Sequence, residues 1–294
     1  MGVKENIIGV LKYYDYFHYP LNADEIQKNF PDKIDLLSIR IALGELVIEK
    51  KVFHFGPFYS LHNSMQLVED RIKGNKLATE KIGKALRLTK FISWFPFVDA
   101  AYISGSLSKN YANEKTDIDF FICTKPQKVW IARTSLHLFK KLTFLFGEQH
   151  SFCMNYFIDY NHREIEEKNI YTAIELVTLM SHKSDEMKLK SLLACNPWIK
   201  NFLPNYYDEL TYANIPVSYE STFYNLIFNN FIFNYTNQVL MNITDFWWRK
   251  KWNRKLFPME DYDLAFKTRL YVSKNHPGNY QKKVLEYYKK PIDE

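Results

Sequence analysis

The sequence predicts an α+β fold: a small mixed β-sheet core with helices, preceded by a module of three helices and a hairpin and followed by a mostly helical region. Apolar runs of strand length at 98–103, 116–123 and 152–159 are bounded by turn residues, as buried strands are. The stretch 126–146 between the second and third runs has helical periodicity, and so do the long flanking segments. At 294 residues the chain can bury a sizeable core, and its length suggests about two domains. The predicted divisions are 1–63, 64–165 and 166–294.

In the first segment, Ile7, Ile8, Leu11 and Tyr14 recur at helical spacing, and Pro20 ends the pattern. Asn22 with Glu25 three residues on reads as a capping box that opens a second helix. A third helix over 35–49 would turn Leu36, Ile39, Leu43 and Leu46 inward. Residues 51–61, broken by Gly56-Pro57, read as a hairpin. Three helices and a hairpin resemble a winged helix-turn-helix, which raises nucleic acid as a partner. A DNA-reading third helix should expose basic or amide side chains. Arg40, Lys50 and Lys51 are balanced by Asp35, Glu45 and Glu49, and the hairpin tip is Phe-Gly-Pro-Phe. The balance favours a protein or interdomain contact over DNA.

A helix is expected over 65–95, although Gly74 and Gly83 weaken its continuity. Its basic residues, Arg71, Lys73, Lys76, Lys81, Lys84, Arg87 and Lys90, read as a solvated face. Pro96 then precedes the first core strand.

The core carries the chemistry. The strand ending at Ile103 runs into Ser104-Gly105-Ser106, and ten residues separate Ser106 from Asp117-Ile118-Asp119-Phe120-Phe121. Gly105 allows a sharp turn and close approach of a ligand, and the amide and hydroxyl of Ser106 can donate to phosphate oxygens. On a strand, Asp117 and Asp119 would share one side. Paired carboxylates repel unless a cation lies between them, and Mg²⁺ takes carboxylate oxygens together with substrate phosphates.

This pattern over residues 97–159 resembles the nucleotidyltransferase superfamily with the DNA polymerase beta-like fold, whose motif is Gly-Ser, a short spacer and Asp-x-Asp between hydrophobic residues. The resemblance implies transfer of a nucleoside monophosphate from a nucleoside triphosphate to a hydroxyl acceptor. Asp117 and Asp119 would hold Mg²⁺ or Mn²⁺, Gly105 and Ser106 would bind phosphates, and Lys109 or Lys115 would neutralise triphosphate charge. It also implies a third carboxylate on a later strand. There the sequence has Asn155, which can ligate but cannot accept a proton as a carboxylate does. Asp159, of the same strand parity, and Glu148 are the other candidates. Two further readings stay open: a nucleotidyltransferase-like regulator that binds nucleic acid or a protein without turnover, and an antitoxin-like enzyme that modifies a protein partner. The acceptor is not legible.

The helix expected over 126–146 has Pro126 in its first turn and Gly147 after its end. Helices are expected over 170–180, over 187–203 with an interruption at Pro197, and over 221–257, where Asn230, Asn234 and Asn237 share a face. That face reads as hydrogen-bonded within a bundle, or as the wall of a cleft. Residues 247–255 form the densest basic and aromatic cluster, which suits a helix end with inward tryptophans, stacking on bases or a membrane surface, the helix end being favoured. The tail over 267–283 reads as a basic loop, with His276 solvated or folded over a triphosphate.

Net charge is +6, enough to permit a polyanionic partner without requiring one. Cys123, Cys153 and Cys195 are three and far apart, so neither a disulfide framework nor zinc spacing is present. With no signal-peptide pattern and amides throughout the most apolar segment, a soluble, cytoplasmic protein without a membrane contact is expected. The sequence lacks a P-loop, a Rossmann glycine fingerprint, an HExxH helix and a nucleophile elbow, which removes several enzyme classes.

Overall fold

A computed structural model describes residues 2–143, 153–211 and 231–291. The fold is mixed α+β. Helices α1 (Val3–Asp15), α2 (Ala23–Lys28) and α3 (Leu36–Ile48) pack with a small antiparallel sheet of β1 (Leu21–Asn22), β3 (Phe58–Ser60) and β2 (Phe53–Phe55), in that order. The expected capping box is formed: Asn22 accepts from the Glu25 amide at 2.8 Å, and Glu25 accepts from the Asn22 amide at 2.9 Å.

Helix α4 (Met65–Ser93) runs unbroken through both glycines. Gly74 serves packing, since a Cβ there would lie 2.3 Å from the Tyr111 ring. Arg71 departs from the expected solvated face. It is buried and makes a two-pronged ion pair with Glu25 at 2.7 and 2.8 Å, between the Tyr19 and Phe58 rings. This pair fastens the N-terminal module to α4.

The core sheet has five strands: β4 (Val98–Ser104), β5 (Asp119–Thr124), β6 (Cys153–Asp159), β7 (Phe266–Arg269) and β8 (Val272–Asn275), in the order β4-β5-β6-β8-β7. Only β5 and β6 are parallel. Ala101, Ile103, Phe120, Ile122, Met154 and Phe157 face α4 and α6 (Val129–Thr143). Ala100, Tyr102, Phe121, Cys123 and Ile158 face α7 (Ile170–Val177) and α8 (Glu186–Ala194). The 187–203 region divides into α8 and a 3-10 turn at Pro197–Asn201, followed by α9 (Pro204–Thr211).

Several expectations need correction. The second core strand starts at Asp119 rather than 116, because the loop before it is held away from β4. Lys81 donates to the carbonyls of Asn113 and Thr116, both at 3.0 Å, and Asn113 and Thr116 bond to each other. Helix α6 starts at Val129, not Pro126, since Gln127 turns with a φ of 57°. The tail expected as a loop forms β7 and β8 and leads into α12 (Tyr280–Lys289). Lys267 and Lys274 stay in this hairpin because Glu166 and Glu167 neutralise them. The C-terminal part is therefore not purely helical. It supplies two strands to the core sheet, and its last helix packs on α1, where Tyr287 donates to Asp15.

In α10 (Phe231–Arg254), Asn234 accepts from Lys128 and Asn237 from the Trp130 amide, both at 2.8 Å. This is the in-bundle role; Asn230 lies outside the described residues. Trp248 and Trp252 pack against Phe266 beside the short helix α11 (Tyr262–Ala265), whereas Trp247 is exposed. All three cysteines are free. Among the described residues, no helix is long and apolar enough to cross a membrane.

Candidate active site

The centre of the site is the contact between the Gly-Ser turn and the first residue of β5. Strand β4 ends at Ser104, paired with Asp119. Gly105 then turns the chain with a φ of 69° into the single turn α5 (Gly105–Ser108). A Cβ at Gly105 would lie 2.5 Å from Asp119 Oδ2. Glycine is thus required twice, once for the left-handed backbone and once because the Asp119 carboxylate occupies the space of a side chain. Ser106 sits in α5, and its carbonyl accepts from the amides of Lys109 and Tyr111, both at 3.0 Å.

Asp119 is oriented by an amide on the neighbouring strand. Asn155 donates its Nδ2 to Asp119 Oδ1 at 2.7 Å and accepts at Oδ1 from the Cys153 thiol at 3.0 Å. Asn155 reaches Asp119 because it is the extra residue of a bulge: Phe120 pairs with Met154 and Phe121 with Tyr156. Such a bulge re-aims a side chain and resets strand parity. It places Asn155 beside Asp119 as an orienting amide and moves Asp159 to the other face.

Asp159 is buried and serves the backbone there, accepting from the amides of Gln127 and Asn161. Its expected place near the metal is therefore corrected, the cause being a bulge that strict alternation does not foresee. Asp117 lies in the loop just before β5 and is exposed. It is close enough for its charge to act on Asp119. Lys115 is exposed in the turn before it, its amide bonded to Asn113 Oδ1 at 2.9 Å. Glu148 lies outside the described residues.

A third acid does approach Asp119, from a helix rather than a strand. Glu175 of α7 accepts from Lys109 Nζ at 2.8 Å, and the same ammonium donates to the Gly105 carbonyl at 3.0 Å. Lys109 is thus a brace between the turn and Glu175 rather than a free cation. The segment following α7 is pinned to β4 by paired bonds between Ile103 and Met180, at 2.8 and 3.1 Å. Burial, then the charges of Glu175 and Asp117, push the Asp119 carboxyl up to about 7, and Lys109 opposes them. The sequence offered one weak signal for Glu175: a lone acid in the otherwise apolar run Ala173–Val177.

Among the described residues, no group of three or more His, Cys, Asp or Glu side chains is arranged to enclose a metal ion. Two carboxylates still fit Mg²⁺, which is held by one or two of them plus substrate phosphates rather than by an all-protein cage. Burial and the two nearby negative charges favour the neutral form of the Asp119 carboxyl, and a cation beside it would favour the charged form.

Beside Asp119, Ser104, Asn155 and Glu175 also border a cavity that extends to β8 and the start of α12. His276 lines it, so the solvated loop expected for this residue is not found. Burial pushes its imidazole down to about 3, which keeps the ring neutral.

A carboxylate seated on a glycine turn, with a second acid before it and a third charge-coupled to it, defines a polar site able to take a cation and phosphates. Comparison with protein-family models, with curated proteins and with solved structures gave no match.

Proposed function

We propose that this protein is a metal-dependent nucleotidyltransferase that moves a nucleoside monophosphate from a nucleoside triphosphate to a hydroxyl acceptor. The observation that carries this reading is the seat of Asp119 on Gly105, 2.5 Å from where a Cβ would be. It brings the phosphate-binding turn and the metal-binding carboxylate of the resemblance into contact. Asp117 and Asp119 would hold Mg²⁺ or Mn²⁺, and the ion would offset charge on the phosphates during displacement.

The chain's own residues would do the rest. The Gly105–Ser106 turn binds triphosphate oxygens. Asn155 and the Lys109–Glu175 pair fix the Asp119 carboxylate and the acid beside it. Glu175, from a helix instead of the later strand, would supply the third carboxylate and take the acceptor proton. The acceptor oxygen forms a bond to the α phosphorus, the bond from that phosphorus to the pyrophosphate oxygen breaks, and pyrophosphate leaves with its electron pair. Positioning and electrostatics supply most of the rate.

The helix, strand, two helices and hairpin of the N-terminal module support the winged-helix reading. The exposed face of α3 carries Leu37, Arg40, Ile41, Gly44, Glu45 and Ile48. One cation among exposed aliphatic side chains favours a protein contact over a DNA backbone. The same face supports the second reading, a partner-binding regulator of low turnover. We place the protein in the cytoplasm by its free cysteines.

Calorimetric titration of the four nucleoside triphosphates in Mg²⁺ tests the assignment. Binding of at least one, lost in the Asp117→Ala, Asp119→Ala double variant, is expected. No binding, or binding untouched by the double variant, overturns it. Release of pyrophosphate separates the enzyme from the regulator. Duplex binding that weakens with salt and survives loss of both aspartates would favour the nucleic-acid regulator.

A further inference from the structure

The C-terminal end of α10 exposes apolar side chains between cations. Ile243 is 50% exposed, Phe246 62%, Trp247 58% and Leu256, just beyond the helix, 90%. Trp248, Trp252 and Phe257 turn inward and pack on Phe266. Ile243, Trp247, Lys250 and Arg254 follow at intervals of four, three and four residues, which aligns them along one side of the helix. Apolar surface grouped in this way marks an interaction site.

Leu256 stands there against local preference. Its amide donates to the Asn253 carbonyl at 3.1 Å, and that of Phe257 donates to the Trp252 carbonyl at 3.0 Å. The Phe257 and Trp252 rings meet with centroids 5.9 Å apart. These are the two bonds and the apolar contact of a Schellman motif, whose left-handed position glycine usually fills. Leucine holds it here at a φ of 56°, a steric cost that glycine would not incur. Its side chain is also the most exposed large hydrophobic among the described residues. No internal packing offsets the strain, so the leucine suits an apolar phase outside the molecule.

The charges fix the sign of the partner. Lys250, Lys251, Arg254 and Lys255 have no acidic partner among the described residues; Lys250 lies over the Phe246 and Trp247 rings, and Lys251 and Lys255 lie over Trp252. Of the four acids in 245–263, Asp245 and Asp263 pair with Arg249, and Asp261 pairs with Lys282. Cations interleaved with aliphatic and aromatic side chains match head-group phosphates lying above acyl chains. A nucleic-acid strand would use the cations and rings but would leave Ile243 and Leu256 in water.

We propose that residues 243–256 dock on an anionic lipid bilayer. Lys250, Lys251, Arg254 and Lys255 meet the head groups, and Ile243, Phe246, Trp247 and Leu256 enter the boundary beneath them. The contact is peripheral, since no described helix is long and apolar enough to cross a membrane, and it does not depend on the transferase reading.

The test is flotation of the full chain, without metal or nucleotide, on vesicles of phosphatidylcholine alone and of phosphatidylcholine mixed with phosphatidylserine. The chain should float with the mixed vesicles and not with the neutral ones, and its affinity should fall as salt rises. Leu256→Gly is the main variant, because glycine suits the Schellman turn while removing the apolar chain. Its melting temperature should equal or exceed the parent's, yet its affinity for the mixed vesicles should drop about tenfold. Lys250→Gln with Lys251→Gln should lower that affinity by about tenfold or more. No flotation, equal flotation on neutral vesicles, or Leu256→Gly binding as tightly as the parent overturns the proposal. Binding to polyuridylate without binding to vesicles overturns it as well and assigns the surface to nucleic acid.

Discussion

Replacing Asp119 with asparagine should change the dependence of stability on pH in a direction opposite to that of an ordinary carboxylate. The folded-state pKa of Asp119 is raised from 3.8 to about 7 by burial and then by Glu175 and Asp117. A group raised on folding contributes stability that is fully present below its unfolded value and lost as pH rises through the folded one. The interval is about three pH units. At about 1.4 kcal/mol for each, the metal-free protein loses at most roughly 4 kcal/mol from this group between pH 4 and 8. Asp119 is only partly shielded from solvent, and water will screen part of this, so roughly 2 kcal/mol is the working figure. Asparagine keeps an acceptor for Asn155 and carries no charge. In EDTA, thermal unfolding of Asp119→Asn should match the parent near pH 4 and exceed it by several degrees at pH 8. Mg²⁺ should raise the parent's melting temperature at pH 8 and leave the variant unchanged. A parent whose stability is flat from pH 5 to 8, or a variant less stable at pH 8, would refute the reasoning.

Gly105→Ala meets both a left-handed backbone and the Asp119 carboxylate. It should cost more than about 1 kcal/mol in chemical denaturation and abolish nucleotide binding measured by calorimetry. Asp159→Asn should lower stability by roughly 1–3 kcal/mol, because the Gln127 and Asn161 amides lose a charged acceptor; nucleotide affinity should not change, and a loss of affinity would return Asp159 to the site. Glu175→Gln removes a charge that raises Asp119. The pH midpoint of metal-free stability should move downward, and turnover should fall about 10²–10⁴-fold if Glu175 takes the acceptor proton.

The legible parts of this protein were local. Asn22 and Glu25 cap α2 because three residues set that geometry, and Gly105 turns because of its own missing side chain. The contact of Gly105 with Asp119 follows from pairing two neighbouring strands. What escaped depended on distant chain or on irregularity. A bulge has no fixed sequence signature, so alternation along β6 placed Asp159 on the wrong face and made Asn155 look like a failed acid rather than a donor to Asp119. Glu175 comes from a helix 56 residues after Asp119, and only packing brings it near. The tail over 267–283 read as a basic loop, although it holds two strands, because the partners that let Lys267 and Lys274 sit in a sheet, Glu166 and Glu167, lie about a hundred residues earlier.

The late arrival of β8 bears on how the chain is made. Tyr156 pairs with Lys274, yet more than a hundred residues separate them, and translation at about 5–20 residues per second makes that roughly 6–25 s. Through that interval the newborn β6 offers an open hydrogen-bonding edge beside a row of apolar side chains, a template for pairing with other chains. One wall of the cavity behind Asp119, carrying Lys274 and His276, emerges only afterwards. The strand order thus leaves one edge of the core sheet uncovered until the chain is nearly complete.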